Sequence, residues 1–152
     1  MTDIQLRPAR PPEASAISDL AMRSKAHWGY DDDFLNACRT ELTIPPDRCD
    51  GVRLIVAESE GVIIGFYRLS GEAPEGTLEA LFVDEPMIGS GLGRRLFADA
   101  VDRARRLGLV TLLIDADPGA EPFYQHMGAE RIGESPSGSI PDRVLPRLRL
   151  AL

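Results

Sequence analysis

TLEALFVDEPMIGSGLGRRLFADAVDRARRL, residues 77–107, is the stretch around which the rest of the chain is organised. An apolar run suited to a strand, residues 77–83, is followed by a proline, by a glycine loop at 89–93 and by a long amphipathic pattern. Glycines let the backbone approach a ligand closely, and the unpaired N–H groups at the start of a helix favour phosphate. The stretch therefore predicts a strand, an anion site and a helix, in that order.

The flanking sequence predicts a mixed α/β sheet. Residues 52–57 and 62–69 read as a hairpin, so strand 77–83 is expected to be the third of three antiparallel strands. The apolar run 109–114 follows the crossover helix 90–107 and is expected to lie parallel to strand 77–83. The other expected elements are strands at 4–7, 129–133 and 146–152, and helices ending near 23, over 34–41 and from about 120 to 127. We expect one domain, residues 1–152, with about seven strands and four helices around a central mixed sheet.

Composition limits the classes of function. The net charge of −7 argues against a nucleic-acid binder, because phosphate-backbone affinity depends on clustered lysine and arginine. Cys38 and Cys49 show no C-x-x-C spacing and no neighbouring histidine, so neither a metal site nor a redox pair is expected. The chain has no run approaching the roughly 20 apolar residues of a membrane span and no secretory leader pattern. We therefore expect a cytoplasmic protein without membrane or nucleic-acid partners.

Two familiar glycine-loop chemistries fit poorly. A P-loop needs Gly-Lys-Ser/Thr after its glycines, whereas Gly93 is followed by Arg94 and Arg95. A dinucleotide fold needs G-x-G-x-x-G after a first parallel strand, whereas this loop reads G-x-G-x-G after an antiparallel set. Neither a nucleotide triphosphatase nor a dinucleotide-binding enzyme is favoured.

A third chemistry matches two separate motifs. Residues 83–96, VDEPMIGSGLGRRL, resemble the acetyl-CoA signature Q/R-x-x-G-x-G/A of the GNAT N-acetyltransferase superfamily. Residues 117–129, DPGAEPFYQHMGA, resemble its second motif, N-x-x-A-x-x-F-Y-x-x-x-G-F. The order and spacing of elements along the chain are similar as well, and the closing segment resembles a bacterial subgroup without a fixed substrate. Ile88, Asp117 and Ala129 depart from the pattern, which usually has Gln or Arg, Asn and Phe there.

The resemblance implies transfer of an acetyl group from acetyl-CoA to a primary amine of a small molecule, by direct attack. No residue resembles an obligatory acyl-enzyme nucleophile, since neither cysteine lies on an expected site element. Tyr124 matches the tyrosine that often protonates the departing thiolate, and the alternative is that it only packs on the coenzyme. The coenzyme residues carried over by position are Leu81, Phe82, Val83, Ile88, Gly89, Ser90, Gly91, Leu92, Gly93, Arg94, Asp117 and Phe123.

Such a reaction also needs a group that takes a proton from the amine. Glu79 is the best candidate, because strand alternation places it on one face with Leu81 and Val83, and a carboxyl in apolar surroundings has a raised pKa. A bulge, common in the family, would change that phase. The alternative is a solvated or salt-bridged glutamate, and His27 and His126 are weaker candidates for the proton.

The acceptor amine is left open by the sequence. Trp28 and Tyr30, in an expected loop at 24–30, are candidates for its pocket, although Trp28 could instead cap the core between two helices. The acidic run 31–33 suits the N-terminus of a helix better than a cation-attracting lip. A non-catalytic acyl-CoA sensor or structural module with the same fold is the alternative function. Members of the family often form dimers, so a homodimer is compatible with the resemblance.

Overall fold

The computed structural model describes residues 3–152, which form one seven-stranded sheet in the order β1-β2-β3-β4-β5-β7-β6. The only parallel pair in this sheet is β4 with β5, so the expected mixed sheet is confirmed. The strands are β1 Ile4–Pro8, β2 Leu54–Ser59, β3 Val62–Glu72, β4 Glu75–Val83, β5 Thr111–Asp115, β6 Glu130–Pro136 and β7 Val144–Ala151. The helices are α1 Ala14–Ala26, α2 Asp32–Leu42, α3 Leu92–Arg106 and α4 Glu121–His126.

Each face of the sheet has its own apolar core. Alternation along β2 separates them, since Ile55 and Ala57 pack on the α3 side and Leu54 and Val56 on the α1 side. The expected apolar stripe of α3 is confirmed, with Leu92, Leu96, Phe97, Ala100 and Ala104 buried. Full burial of a large side chain contributes about 1.5–3 kcal/mol. These contacts fix α3, and with it the preceding glycine loop, against β3 and β4.

A buried tyrosine also ties α3 to the sheet. The Tyr67 hydroxyl of β3 donates a hydrogen bond to Asp99 Oδ2 at 2.5 Å, and Arg103 donates to the same oxygen at 3.1 Å. Burial, followed by the Asp99 carboxylate, raises the pKa of Tyr67 far above its ordinary value. The phenol therefore remains a donor at any ordinary pH.

Helix ends follow the local sequence. The Asp31 carboxylate accepts from the Phe34 N–H at 2.8 Å, which confirms that the acidic run begins α2. Gly108, at φ +85°, and Gly128, at φ +103°, follow α3 and α4 in the left-handed conformation that ends helices. None of the helices between residues 3 and 152 is long and apolar enough to cross a membrane.

Two boundaries differ from expectation. Helix α1 continues to Ala26, three residues further than expected, because Ser24 still faces the core and is buried. The segment 71–76, which lies between the expected strands 62–69 and 77–83, mostly belongs to strands β3 and β4. Gly71 pairs with Gly76, and a Cβ on Gly71 would lie 2.9 Å from the Gly76 Cα. The glycines therefore allow a close approach of two strands, a role that sequence alone does not distinguish from a turn.

Candidate functional site

Strands β4 and β5 part in the middle of the sheet. They pair only from Glu75 to Leu78 on β4 and from Thr111 to Ile114 on β5. Beyond Leu78, β4 keeps β3 as its partner, from Ala80 opposite Arg68 to Val83 opposite Gly65. The β4 edge that faces away from β3 is consequently unpaired over residues 79–83 within the described chain. Backbone N–H and C=O groups along this edge are available to an extended ligand.

The strands part at a β-bulge centred on Glu79. Arg68 pairs with Ala80 and Leu69 with Leu78, so Glu79 has no partner on β3. Leu78 and Leu81 both pack on the α3 side, whereas Ala80 packs on the α1 side. An extra residue of this kind reverses the alternation and re-aims a side chain.

The bulge overturns the expected surroundings of Glu79. Its side chain does not lie among apolar neighbours with Leu81 and Val83, because Glu79 Oε2 lies 2.6 Å from Arg68 Nη1. The carboxylate side chain is 37% exposed. The salt-bridged, partly solvated alternative therefore describes its environment correctly, and the proton-accepting role rests on position rather than on desolvation.

The glycine loop presents backbone donors. Gly89 and Gly91 have φ of +86° and +92°, and Gly91 is the N-cap of α3. The N–H groups of Ile88, Ser90, Leu92 and Arg95 bond within the chain. Four other N–H groups of the loop have no partner among residues 3–152, namely those of Gly89, Gly91, Gly93 and Arg94. Four free donors at a helix start, in a loop open to solvent, are suited to bind an anion such as a phosphate.

Some of the charged side chains around the loop already have partners within the protein. Arg95 donates to the carbonyl oxygen of Ile4 at 2.8 Å, and Asp84 pairs with Arg23 of α1 at 3.0 Å. The hydrogen bond from Arg23 lowers the pKa of Asp84. Arg94 is exposed and makes no ion pair within residues 3–152. Of the two arginines that follow Gly93, Arg94 is thus the one left for an anion.

Two aromatic residues of α4 face the start of α3. The Phe123 ring lies 6.1 Å from the Phe97 ring, and a Cβ on Gly93 would lie 3.7 Å from Phe123. Tyr124 is only 7% exposed and packs 5.8 Å from Phe97 and 5.1 Å from Phe123, measured between ring centroids. Burial raises the pKa of Tyr124, and its hydroxyl has no hydrogen-bond partner within residues 3–152. The Tyr124 hydroxyl is therefore protonated at neutral pH and free to donate a hydrogen bond.

Tyr30 and Asp117, expected in different parts of the site, meet in one cluster. Tyr30 Oη and Lys25 Nζ both donate to Asp117 Oδ2 at 2.8 Å, while the Gly119 N–H donates to Oδ1 at 2.9 Å. Partial burial raises the pKa of Asp117, but the hydrogen bonds from Lys25 and Tyr30 outweigh it, and the pKa lies below its ordinary value. Both carboxylate oxygens are thus engaged within the protein.

Lys25 and Arg143 are functional candidates that the sequence did not reveal. Arg143 Nη2 donates to Tyr30 Oη at 2.8 Å and lies 3.5 Å from Asp117 Oδ2. The guanidinium also lies 4.9 Å from the centre of the Phe34 ring, which stacks on Tyr30 at 4.0 Å. The cluster joins α1, α2, the turn after β5 and the loop before β7. No sequence pattern links positions 25 and 143, so only the fold brings them together.

Trp28 lies at the edge of this cluster. It is 47% exposed, and its ring covers Gly119, where an added Cβ would lie 2.8 Å from two ring carbons. The ring therefore packs on the turn after β5 rather than capping the core between helices. An exposed aromatic surface of this kind is suited to contact a small ligand.

Known proteins resemble this chain in sequence and in fold. Residues 37–137 match the family described as Acetyltransferase (GNAT) domain. The 5-NmdU N-acetyltransferase of Pseudomonas phage PaMx11 is 32% identical over 138 residues, which cover 89% of this chain and 93% of that protein. A GCN5-related N-acetyltransferase from Rhodopseudomonas palustris superposes with a TM-score of 0.84 at 22% identity, covering 100% of this chain and 98% of the other. The PaiA N-acetyltransferase of Thermoplasma acidophilum, in complex with coenzyme A, superposes with a TM-score of 0.82 at 14% identity, covering 99% of both chains.

Proposed function

The chain belongs to the GNAT acetyltransferase family, and from this premise we propose that it transfers an acetyl group from acetyl-CoA to a primary amine of a small molecule. One observation carries the proposal: the unpaired donors of the glycine loop lie just beyond the unpaired edge of β4. A diphosphate on the loop and an amide-containing arm along the strand would satisfy both sets of backbone groups. Coenzyme A contains both parts in that order.

The residues proposed to hold the coenzyme fall into two groups. Backbone N–H groups of Gly89, Gly91 and Gly93, with the Arg94 side chain, bind the pyrophosphate, and neighbouring residues shape the loop. Backbone groups from Leu81 to Val83 bind the arm and hold the thioester carbonyl. Phe123 and the Asp117 turn border the same path. The neighbouring positions included in the loop are Ile88, Ser90 and Leu92.

Acetyl-CoA supplies an acyl group already activated as a thioester. In the overall reaction the amine nitrogen bonds to the acetyl carbon, the carbon–sulfur bond breaks, and one proton passes from nitrogen to sulfur. The chain must therefore accept a proton on one side of the acetyl carbon and donate one on the other. Neither step requires a covalent acyl-enzyme.

We assign proton acceptance to Glu79, directly or through one water. The bulge places its carboxylate at the point where β4 becomes free, and Arg68, 2.6 Å away, holds it in position. Substitution Glu79→Gln keeps the size of the side chain and removes the basic oxygen. We expect the rate of the chemical step to fall and its pH profile to flatten at unchanged coenzyme affinity. Unchanged single-turnover rates across pH would exclude Glu79.

Proton donation is assigned to Tyr124. Its raised pKa keeps the hydroxyl protonated at neutral pH, and no hydrogen bond within residues 3–152 holds that proton. Packing against Phe97 fixes the ring beside the start of α3. A buried phenol of this kind can give its proton to a departing thiolate and recover it from solvent afterwards.

We further propose a cytoplasmic protein that acts as a single domain and forms a homodimer. Cys38 and Cys49 are both free thiols, which suits a reducing compartment. Gel filtration with light scattering tests the dimer, and a monomer at micromolar concentration would remove it.

Activity is tested with the purified chain, acetyl-CoA and a panel of amines. The panel contains amino acids, polyamines, amine-bearing antibiotics and 5-NmdU, the compound in the name of the phage relative. Free CoA thiol is measured together with the mass of the product. The proposal expects thiol release that depends on one class of amine, and amine-independent hydrolysis alone would overturn it.

A further inference from the structure

A cavity of about 410 Å³ lies beside the bulge of β4, away from the glycine loop. Its lining comes from the turn before β2 and from the second half of β3. Arg53, Arg68 and Ser70 are its partly buried polar residues, while the acids Asp47 and Glu72 on its rim are exposed. Sites for small molecules usually measure roughly 300–1,000 Å³. The cavity can therefore hold a ligand about the size of an amino acid.

Arg68 connects this cavity to the proposed chemistry. Its side chain lines the cavity and its Nη1 lies 2.6 Å from Glu79 Oε2. The bulge produces this arrangement, because it turns Glu79 away from Leu81 and toward Arg68. A molecule bound in the cavity would thus contact Arg68, whose guanidinium pairs with the carboxylate proposed to accept the amine proton.

The buried end of the Arg53 side chain lacks a hydrogen-bond partner in the described part of the chain. Its Nη1 is buried and makes no hydrogen bond within residues 3–152. An unsatisfied buried donor is unfavourable, and more so when it carries charge. The Arg53 backbone is fixed, since its carbonyl oxygen accepts from the Leu69 N–H at 2.9 Å. A buried guanidinium nitrogen without a hydrogen-bond partner is suited to an anionic ligand.

No acid that lines the cavity forms a direct ion pair with Arg53 within residues 3–152. Asp50 Oδ1 already accepts from the backbone N–H groups of Val52 and Arg53, each at 2.9 Å. Burial raises the pKa of Asp50, but the two backbone bonds and the nearby charge of Arg53 outweigh it and the pKa falls below its ordinary value, so Asp50 is an anion in the neighbourhood of Arg53. Asp47 and Glu72 are exposed to solvent, where charge is strongly screened. Arg53 Nη1 is consequently the one buried polar atom of the lining that has no hydrogen-bond partner within residues 3–152.

We propose that this cavity binds the anionic group of the acceptor, a carboxylate or a phosphate, with Arg53 as its partner and the amine directed toward Glu79. The substrate class is then an amine that also carries an acid group. This inference rests on the proposed function, because it uses Glu79 as the end of the site that receives the amine. The inference adds an acid group on the acceptor, which Arg53 recognises at the other end of the site.

Binding is measured separately from turnover, with coenzyme A replacing acetyl-CoA so that no transfer occurs. Calorimetry compares matched amines with and without the acid group: ornithine with putrescine, phenylalanine with phenethylamine, and phosphoethanolamine with ethylamine. In at least one pair we expect the anionic member to bind about ten- to a hundredfold more tightly, as one charge-assisted hydrogen bond allows. The pair that shows the preference distinguishes a carboxylate from a phosphate.

Three variants test whether Arg53 causes the preference for the anionic amine. Arg53→Gln should remove the preference for the anionic amine. Arg53→Lys should retain part of the preference, and it replaces the glutamine variant if that variant fails to fold. Arg106→Gln is the matched control. Arg106 lies at the end of α3 and pairs only with Asp102 among residues 3–152, so its loss should leave the preference unchanged.

Equal binding within every pair, no binding by any anionic amine, or a preference that persists in both Arg53 variants would overturn the inference. Turnover is read independently with acetyl-CoA. If anionic amines bind through Arg53 and none is acetylated, the anion site stands and the proposed transfer fails. If only amines without an acid group are acetylated, the transfer stands and the anion site fails.

Discussion

Gly91→Ala tests the glycine loop with the smallest possible change. Gly91 has φ +92°, and an added Cβ would meet no atom within 4 Å. The left-handed conformation costs a non-glycine residue about 1–2 kcal/mol, and the stiffer unfolded chain returns about 0.4–1 kcal/mol of that. The net loss of unfolding free energy is therefore about 1 kcal/mol. For a domain of this size that lowers the melting temperature by about 2–4 °C.

Gly91→Ala should lower the free energy of coenzyme binding by more than it lowers the free energy of unfolding. An added Cβ would project into open space, and the neighbouring Gly91 N–H has no partner within residues 3–152, so we expect the methyl group to hinder a phosphate that binds this N–H. Loss of one charge-assisted hydrogen bond costs about 1.5–3 kcal/mol, which raises Kd about ten- to a hundredfold. Calorimetric titration with coenzyme A measures this directly.

Gly61→Ala is the matched control. Gly61 has φ +79°, an added Cβ there also meets nothing within 4 Å, and the residue lies in the turn between β2 and β3. It should show the same loss of stability with unchanged affinity for coenzyme A. If the Gly91 and Gly61 variants bind coenzyme A equally well, the glycine loop is not the pyrophosphate site and the reasoning is refuted.

Three further variants test other parts of the site. Tyr124→Phe should lower the single-turnover rate about a hundredfold or more at unchanged coenzyme affinity, and a normal rate would make Tyr124 a packing residue only. Asp117→Asn should lower the free energy of unfolding at neutral pH by about 1–3 kcal/mol, because Lys25 loses its counter-ion. The pKa of Asp117 is lower in the folded state, so its contribution is present above the unfolded value of about 3.9 and is lost as pH falls through the folded value. Urea titrations should therefore show a flatter acid dependence in the Asp117 variant, and identical curves would contradict the cluster. Tyr67→Phe should cost about 1–2 kcal/mol without altering coenzyme binding, since Asp99 keeps Arg103, and a change in affinity would contradict a purely structural role.

Much of the fold follows from local pattern. The apolar stripe of α3, the acidic start of α2 and the apolar run of β5 each reflect a periodicity that a single element must satisfy when it packs. The glycine loop is equally local, because the conformations at Gly89 and Gly91 are ones that other residues rarely adopt. These features were predictable without knowledge of distant contacts.

Glu79 shows where local pattern fails. Strand alternation predicts Glu79 on the same face as Leu81. The register between β3 and β4 skips one residue at this point, so the Glu79 side chain points in a different direction. A bulge depends on how two strands pair, and a single strand does not record it. The consequence is chemical, since Glu79 exchanges apolar neighbours for the Arg68 guanidinium.

Lys25 and Arg143 were missed for a related reason. They are 118 positions apart and meet only because the loop before β7 reaches α1 across the turn after β5. Their shared partner, Asp117, was expected among the coenzyme-binding residues, but nothing in the sequence around it indicated two cations. Arg53 is similar, because its unpartnered guanidinium is recognisable only once its surroundings are known.

The most direct test of the central claim is the stoichiometry of transfer. Acetyl-CoA labelled in its acetyl group is mixed with the protein and the best amine of the panel, and free thiol and labelled amide are measured in the same sample. The account predicts one amide for each thiol released, with both lost in Gly91→Ala at low acetyl-CoA and restored at high concentration. Stabilisation of the protein by acetyl-CoA without any labelled amide would contradict it.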